Sequence, residues 1–276
     1  MWLSLLMLIG CNGPSEETFI PELRVVAVVN EPPVVAPGDT VRSRVVIADP
    51  ESRGVEAAVW MCTPIGPTTC AESVMPSPQK VSSYSHVVRG QTDFTVDFLI
   101  SMSAAANIGG EKPPRIAVFA CEAGLCPEFA AIEADPEPGT LAWDELTLTL
   151  AKPFFWLDEK PIGGVSLASR FLELTNQPIE NRRTNPVLRF TSRPSQLIRA
   201  GKTLDLDFSV ESSIPTLVYG FTDFGAMGPR VAEVVDGNAS LLWAPGEEPG
   251  KANFWVSAED GLGGSALWTG EAEAVD

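Results

Sequence analysis

Residues 204–211 read Leu-Asp-Leu-Asp-Phe-Ser-Val-Glu, so apolar and polar side chains alternate without a break over eight positions. Successive side chains of a strand point to opposite faces, and this pattern is typical of a strand with one buried and one solvent-exposed face. The run therefore predicts an antiparallel sheet whose apolar face packs on a hydrophobic core.

Further strands are predicted on the C-terminal side of this run, separated by turns rich in glycine. They lie at residues 216–221, 230–235, 239–243, 252–258 and 265–270. The stretch Glu259-Asp-Gly-Leu-Gly-Gly264 predicts a hairpin connection between the last two strands, because glycine adopts the backbone angles of tight turns at little cost. Short strands at this spacing predict a seven-stranded sandwich over residues 187–276.

The N-terminal half of the chain also consists of short predicted strands separated by turn residues. Its predicted strands lie at residues 40–48, 55–62, 80–88, 92–100, 115–121 and 165–175, after a proline-broken edge strand that begins at Ile20. We predict a first sandwich over residues 20–175 with an insertion at about 139–163, a polar linker at 176–186 and the second sandwich at 187–276. The fold class is therefore all-β, with two tandem antiparallel sandwiches, and the first should fold without the second.

The opening residues predict a bacterial lipoprotein signal. Residues 2–11 run Trp-Leu-Ser-Leu-Leu-Met-Leu-Ile-Gly-Cys, and they resemble the apolar segment, small residue and lipid-accepting cysteine of such signals. The resemblance implies a signal peptide at 1–10, a diacylglyceryl and an N-acyl group on Cys11, and a tether over 11–19. No Lys or Arg precedes the apolar run, although such signals usually begin with positive charge, and a buried N-terminal strand is the alternative interpretation.

Several turn motifs resemble immunoglobulin-like modules of the PKD or cadherin type. They are Asn185-Pro186, Ala200-Gly201, Trp243-Ala-Pro and Glu259-Asp-Gly261 in the second sandwich, and Pro37-Gly-Asp-Thr40 with Trp60 in the first. Together with the signal, the chain is similar to Gram-negative lipoproteins that carry tandem immunoglobulin-like domains. The resemblance implies a fold, but it carries little about function.

Besides Cys11, the chain has Cys62, Cys70, Cys121 and Cys126, and an even number in an exported protein favours disulfides. Cys62 and Cys121 each end a predicted strand, and in an immunoglobulin-like sandwich these would be strands C and F. Because C and F are antiparallel neighbours, their ends lie at opposite poles, farther apart than the roughly 7 Å between the Cα atoms of a disulfide. We therefore predict the local bridges Cys62–Cys70 and Cys121–Cys126. A zinc site of four cysteines is the alternative, and it faces the same distance without close Cys-x-x-Cys pairs.

The net charge of −17, from 36 acidic and 19 basic residues, excludes nucleic acid as a main partner. A calcium site is conceivable in the linker, where Glu180, Asn181 and Asn185 offer oxygen ligands. The intervening Arg182 and Arg183 would repel the ion, so we predict no metal and no cofactor.

Two further side chains are candidates for function. His86 is the only imidazole in the chain, and without a nucleophile motif beside it we predict a surface histidine and no enzyme activity. Trp255 alternates with Phe254, so it faces away from the core of its own sandwich. It is the candidate binding aromatic, and packing against a neighbouring strand or domain is the alternative.

The sequence thus predicts a cell-envelope lipoprotein, held in the outer membrane by its lipid anchor, that acts as a non-catalytic binding or display module. An envelope protein or a glycan is the expected partner. Two other functions stay open at this point: a structural subunit of an envelope assembly, and a hydrolase of unrecognised type.

Overall fold

A computed structural model of the chain describes residues 19–62, 85–100, 113–126, 165–192 and 197–276. The predicted signal peptide with Cys11, the partner cysteine Cys70 and the insertion at about 139–163 lie outside these residues. The described chain is built from strands, with a short 3-10 helix at Ile179–Asn181. Among these residues no helix is long and apolar enough to cross a membrane.

The first sandwich is formed by nine strands within the described residues. They are β1 (Arg24–Glu31), β2 (Val34–Val35), β3 (Thr40–Ala48), β4 (Val55–Cys62), β5 (Ser85–Arg89), β6 (Asp93–Leu99), β7 (Arg115–Glu122), β8 (Val165–Phe171) and β9 (Glu173–Leu174). One sheet has the order β1-β3-β6 and the other β5-β4-β7-β8, and β2 pairs in parallel with β9.

This strand order is that of an immunoglobulin-like sandwich. Strands β1, β3 and β6 take the places of A, B and E, and β5, β4, β7 and β8 those of C′, C, F and G. Every pairing within these two sheets is antiparallel. The predicted all-β immunoglobulin-like fold is confirmed, and β3 and β4 have the predicted bounds.

The second sandwich also contains nine strands within the described residues. They are β10 (Val187–Phe190), β11 (Leu197–Arg199), β12 (Leu204–Glu211), β13 (Thr216–Thr222), β14 (Ala226–Gly228), β15 (Val231–Glu233), β16 (Asn238–Ala244), β17 (Gly250–Asp260) and β18 (Ser265–Val275). The sheets have the orders β10-β12-β16-β14 and β11-β18-β17-β13-β15. Strands β10, β12 and β16 take the places of A, B and E, and β11, β18, β17 and β13 those of A′, G, F and C, again immunoglobulin-like. The edge strand β14 at the D position precedes the edge strand β15 at the C′ position in the chain.

Three strands of the second sandwich have no counterpart among the six strand ranges that the sequence predicts. Strands β10, β11 and β14 are only three or four residues long, too short to show a clear alternation. Strand β14 exists because Met227 reaches into the core beneath Gly220, where a Cβ would lie 2.2 Å from the Met227 Sδ. The chain therefore crosses to the opposite sheet before it returns as β15.

Each sandwich has its own hydrophobic core between its sheets. Trp60 lies in the first sandwich and Trp243 in the second, and both are fully buried. The Trp243 indole N–H donates to the Phe224 carbonyl at 2.8 Å, so burial leaves no unpaired donor. Trp268 is half-buried and stacks on Phe190 with ring centroids 4.7 Å apart.

The burial pattern of β3 changes along its length. Its first residues alternate, but Val45, Val46, Ile47 and Ala48 are all buried. A run buried on every residue must be covered on both faces of its sheet. Val45 and Ile47 face the core of the first sandwich, and Val46 and Ala48 face a second apolar cluster on the outside.

Candidate binding cleft between the two sandwiches

The second apolar cluster joins the two sandwiches, and we call it the interdomain cluster. It consists of Ile20, Val26, Ala27, Val46, Ala48 and Phe221, with Val29, Tyr219, Trp255 and Leu267 packed at its border. The outer face of sheet β1-β3-β6 therefore lies against the outer face of β13-β17-β18. The predicted tandem sandwiches are stacked sheet on sheet rather than joined only by a linker.

The segment before β1 also connects the two sandwiches. Phe19 forms a parallel bridge with Thr222, and the Ile20 amide donates to the Thr222 carbonyl at 2.8 Å. The Ile20 side chain is fully buried in the interdomain cluster. The chain thus contacts the second sandwich before it enters the first one.

The predicted linker carries two arginines, of which Arg182 binds the first sandwich and Arg183 binds both. Arg182 donates to Asp39 of the first sandwich, and Arg183 donates to Asp260 of the second and to Glu173 at 3.1 Å. Burial alone would raise the pKa of Asp39, but hydrogen bonds from the Ala36 amide and from Arg182, and the charge of Arg182, hold this pKa below its ordinary value. The two arginines therefore neutralise the buried Asp260 and the partly exposed Asp39 and Glu173 at the junction.

The hairpin between β17 and β18 docks on the end of β8. Arg170 donates to the Gly263 carbonyl at 3.1 Å, to the Gly264 carbonyl at 2.5 Å and to Glu259 at 2.5 Å. A Cβ on Gly263 would lie 2.5 Å from the carbonyl oxygen of Phe171, so this position requires glycine. The glycines that predict a turn thus also permit close contact between the sandwiches.

Asn185 completes the polar contact, and we call the set around Arg170, Arg183, Asn185 and Asp260 the polar junction. The Asn185 side chain donates to the Asn30 carbonyl at 2.8 Å and accepts from the Ser265 amide at 2.9 Å. One amide group thus binds both sandwiches. With the interdomain cluster, the polar junction fixes the walls of the space between them.

A cleft of about 540 Å³ lies at the border of this interface. Two turns of the first sandwich form one wall, at residues 49–55 and 90–93, and the outer face of β17 and β18 forms the other. Its polar and aromatic lining residues are Asp49, Ser52, Thr92, Asp93, Asp223, Asn253, Trp255 and Thr269. Pockets between domains are common binding sites in proteins, and this one is our candidate functional site.

Each carboxylate of the cleft is held in place by its own neighbours. Asp49 accepts from the Arg53 and Gly54 amides at 3.2 and 3.1 Å, and Asp223 accepts from the Asn253 amide and side chain at 2.7 and 2.6 Å. Asp93 receives two hydrogen bonds from Arg44, at 2.9 and 2.6 Å.

The Arg44 pair also affects the ionisation of Asp93. The hydrogen bonds from Arg44 lower the pKa of the Asp93 carboxyl below its usual value, burial opposes this, and the Arg44 charge adds to the lowering. The Asp93 carboxylate therefore stays ionised at neutral pH and below. Apart from this group, the cleft walls carry two more aspartates and no basic lining side chain among the described residues.

Trp255 lies between Phe221 and Thr269 in the outer face of its sheet. It is half-buried, with part of its side chain against the interdomain cluster and part lining the cleft. Packing against a neighbouring domain and exposure to a cavity therefore occur together. Its two predicted roles are not exclusive in this arrangement.

The other predicted site residues lie away from the cleft. The structure contains the predicted Cys121–Cys126 disulfide, with Cα atoms 5.4 Å apart. Cys62 pairs with Arg115 in the β4–β7 ladder and Cys121 with Glu56, so these cysteines lie at opposite ends of the two strands, as expected. The Cys62–Cys70 bridge stays a prediction because Cys70 lies outside the described residues.

His86 is half-buried, so its predicted surface position is wrong. The reason is packing: its ring contacts Phe98 edge-on, with centroids 5.2 Å apart, and Phe98 is fully buried in the core. Within the described residues its Nε2 has no hydrogen-bond partner.

A second cavity, of about 770 Å³, opens on the flank of the second sandwich. Strand β15 is only three residues long and leaves a gap between the two sheets, which exposes Val231 and Val235 there. Asp207 lines this gap and accepts from the Ser240 hydroxyl at 2.8 Å. The part of the chain described here contains no group of three His, Cys, Asp or Glu that could hold a metal ion.

No family model matches the chain, and no curated protein matches it. Among solved structures, it is similar to the D0-D1 domain of intimin, with 11% identity over 91% of this chain and 99% of that chain, at a TM-score of 0.27. A conjugative transposon lipoprotein from Bacteroides eggerthii shows 15% identity over 32% of this chain and 95% of that one, at 0.27. The human OSCAR ligand-binding domain shows 12% identity over 92% and 98%, at 0.24. At such low TM-scores these likenesses carry no argument about function, and the fold assignment rests on the strand order.

Sequence reasoning identified Trp255 but missed Asp49, Asp93, Asp223 and Asn253. These residues are far apart in the chain and belong to ordinary turns and strand ends, so no motif marks them. Asp49-Pro50 predicts only the end of a strand. The one usable signal was the unbroken apolar run at 45–48, which indicates a strand covered on both faces and therefore a partner sheet.

Proposed function

We propose that the protein is a lipid-anchored cell-envelope protein of the outer membrane that acts as a non-catalytic binding module, with its ligand site in the cleft between the two sandwiches. The observation that carries the proposal is the cleft itself. It brings Trp255 together with polar side chains from both sandwiches, on walls held by the interdomain cluster and the polar junction.

A cleft whose walls are already ordered favours binding, because little conformational entropy is lost when the ligand enters. Asp49, Asp223 and Asp93 are each fixed by hydrogen bonds before a ligand arrives. Asp93 is poorly suited to catalysis, since acid–base chemistry needs a group whose pKa lies near the working pH. The lowered pKa of Asp93 runs in the opposite direction.

The proposed anchor fits the position of the first described residues. Seven residues lie between Cys11 and Phe19, and the eight steps from Cα to Cα span at most about 29 Å when fully extended. Phe19 is paired with Thr222 at the junction of the sandwiches. A lipid on Cys11 would therefore hold the junction close to the membrane rather than at the end of a long arm.

The anchor is tested by expressing the full chain and a Cys11→Ser variant in a Gram-negative host, followed by membrane fractionation and intact mass. We expect a mature chain that begins at Cys11 and carries acyl mass, with both the acyl mass and membrane association lost in the variant. A full-length, unmodified and soluble wild-type protein would contradict the anchor.

The binding module is tested by probing arrays of envelope glycans and peptides with the Cys11→Ser chain, which stays free of lipid. A second chain adds Trp255→Ala, and a control chain adds Asp205→Asn on an exposed face of β12. We expect ligands that the control retains and the Trp255→Ala chain loses. Ligands that both chains bind equally would place the site elsewhere.

A further inference from the structure

We propose that the cleft selects an organic cation, an alkylammonium or guanidinium group, which enters between Trp255 and the three cleft aspartates. This inference rests on the proposed function, because it assigns a ligand class to the same cleft. Such a group occurs in free polyamines and in lysine and arginine side chains, and both present the same chemistry to the cleft.

The charge of the cleft walls is the first support. Asp49 and Asp93 come from the first sandwich and Asp223 from the second, and no Lys, Arg or His belongs to the described lining. Arg44 compensates Asp93, but Asp49 and Asp223 are held by backbone amides and by Asn253, which are neutral. Two carboxylates therefore face the cleft without a cationic partner of their own, and a cationic ligand would gain both charge-assisted hydrogen bonds and charge neutralisation from them.

The aromatic wall is the second support. Cations bind the face of a tryptophan more strongly than that of the other aromatic residues, and the attraction grows when water is excluded. Trp255 is half-buried and lines the cleft between Asn253 and the Thr269 hydroxyl. Within the described residues its indole makes no hydrogen bond or ring contact, so the cluster does not use the ring for another polar interaction.

The acceptor geometry is the third support. An ammonium group has three donors and a guanidinium has five, and neither has an acceptor. Each carboxylate oxygen of Asp223 accepts one hydrogen bond from Asn253, at 2.7 and 2.6 Å, and an ionised carboxylate has about four acceptor positions. Asp223 therefore has acceptor capacity left for a ligand, and so does Asp49, whose oxygens each accept one amide.

The net charge of the whole protein also favours a cationic ligand. A net charge of −17 raises the local concentration of cations and speeds their association with a negative cleft. It repels anionic ligands in the same way. The cleft and the protein thus favour the same sign of ligand.

The test is calorimetric titration of the Cys11→Ser chain with three probes: spermidine, an N-acetylated and C-amidated tripeptide of arginine, and neutral maltotriose. We expect spermidine, the arginine peptide or both to bind, more weakly as salt is raised from 0.05 to 0.5 M, because the Debye length falls. The Asp223→Asn variant keeps an oxygen for Asn253 but removes the charge, and it should weaken binding about tenfold, corresponding to about 1.4 kcal/mol. The Trp255→Phe variant should weaken it about threefold.

The Asp205→Asn variant is the matched control, since it makes the same change in net charge on a strand outside the cleft. Spermidine without the peptide would identify a polyamine site, and the reverse a peptide site. Cation binding that Asp205→Asn weakens as much as Asp223→Asn would be non-specific and would overturn the inference. Binding of maltotriose alone, lost in Trp255→Phe, would overturn the ligand class and leave the binding function standing. No binding of any probe would overturn this inference, while the array experiment would still test the binding module.

Discussion

Asp260 is the most deeply buried carboxylate of the polar junction. Only 1% of its side chain is exposed, and one of its oxygens accepts from the Leu262 and Gly264 amides at 2.9 and 2.7 Å. The other oxygen binds Arg183, which comes from the predicted linker. A single side chain therefore shapes the β17–β18 hairpin and attaches the linker to it.

We predict that Asp260→Asn lowers the free energy of unfolding by about 2–3 kcal/mol. Its amide oxygen can still accept from the two backbone amides, but Arg183 loses a buried counter-charge, and breaking a buried pair costs this much or more. Urea denaturation measures the change. The control is Glu211→Gln, which removes an ion pair to Arg189 that is more than half exposed and should cost less than about 1 kcal/mol. Equal losses in the two variants would contradict the importance of burial at Asp260.

The lowered pKa of Asp39 makes the stability of the protein depend on pH. Its native pKa is lowered, so the unfolded state binds more protons as the pH falls through the region below about 4. The stabilisation by Asp39 is thus fully present above about pH 4 and is lost as the pH falls through the lowered native pKa.

We expect Asp39→Asn to destabilise the protein by about 1–2 kcal/mol at pH 7, since it removes a charged hydrogen bond to Arg182. The difference between the variant and the wild type should shrink as the pH falls below about 4. Urea midpoints between pH 7 and pH 3 measure it. A difference that stays constant over this range would show that the charge of Asp39 makes no contribution.

At the scale of single residues, the sequence predicted which side chains lie in strands better than it predicted which residues form ion pairs. Trp60 and Trp243 stand in predicted strands, and both side chains are fully buried. Arg182 and Arg183 were seen only as a reason against calcium, because their partners Asp39 and Asp260 are 143 and 77 residues away in the chain. Ion pairs at such separations follow from the packing of the sandwiches, which no local pattern contains.

The β17–β18 hairpin shows at the level of elements how one sequence motif serves two purposes. Residues 259–264 predict a tight connection, and the backbone forms it, with the Asp260 amide donating to the Gly264 carbonyl at 3.0 Å. The same carbonyl accepts from Arg170 of the first sandwich at 2.5 Å. Larger side chains would disturb both the turn and the contact, because Gly263 has a positive φ of 94° and its Cβ would meet the Phe171 carbonyl oxygen.

We predict that Gly264→Ala destabilises the protein by about 1–3 kcal/mol, because overfilling a packed contact has this cost. A Cβ there would lie 2.1 Å from the Asp260 Oδ2 and 2.6 Å from the Arg183 Nη1. Gly261→Ala is the matched control in the same hairpin, since a Cβ at that position meets nothing within 4 Å. Thermal denaturation of both variants gives the comparison, and a Gly261→Ala loss equal to that of Gly264→Ala would contradict the steric account.

Elements were predictable where alternation was long. Strand β12 has the predicted bounds because it alternates over all eight residues, and the more uniformly buried β3 and β4 have the predicted bounds as well. Strand β18 extends to Val275, beyond the predicted end at residue 270, because Glu271 and Glu273 still pair with β17. Its charged residues lie on an exposed part of the sheet, so the hydrophobic pattern fades before the hydrogen bonds end.

At the scale of the whole molecule, the stacked arrangement changes the meaning of the predicted linker. Residues 176–186 are polar and aperiodic, as flexible connections are, yet Arg182, Arg183 and Asn185 all bind neighbouring strands or turns. The prediction that the first sandwich folds alone stays a prediction. Its isolation would expose Val26, Val46 and Ala48, which the second sandwich covers.

The cleft depends on this arrangement, since its walls belong to different sandwiches. Sandwiches that moved independently would separate Trp255 and Asp223 from Asp49 and Asp93. The central claim is therefore that the described chain behaves as one body. This claim precedes any assignment of a ligand.

The most direct test is ¹⁵N relaxation of the Cys11→Ser chain in solution, with the rotational correlation time obtained separately for amides of the two sandwiches. We predict one common correlation time, because the interdomain cluster and the polar junction hold the sandwiches together. The Ala48→Asp variant, which places a charge in the interdomain cluster, should split this value into two shorter ones. Two different, shorter correlation times for the sandwiches of the chain without Ala48→Asp would contradict the account. The cleft between the sandwiches would then not be a defined site.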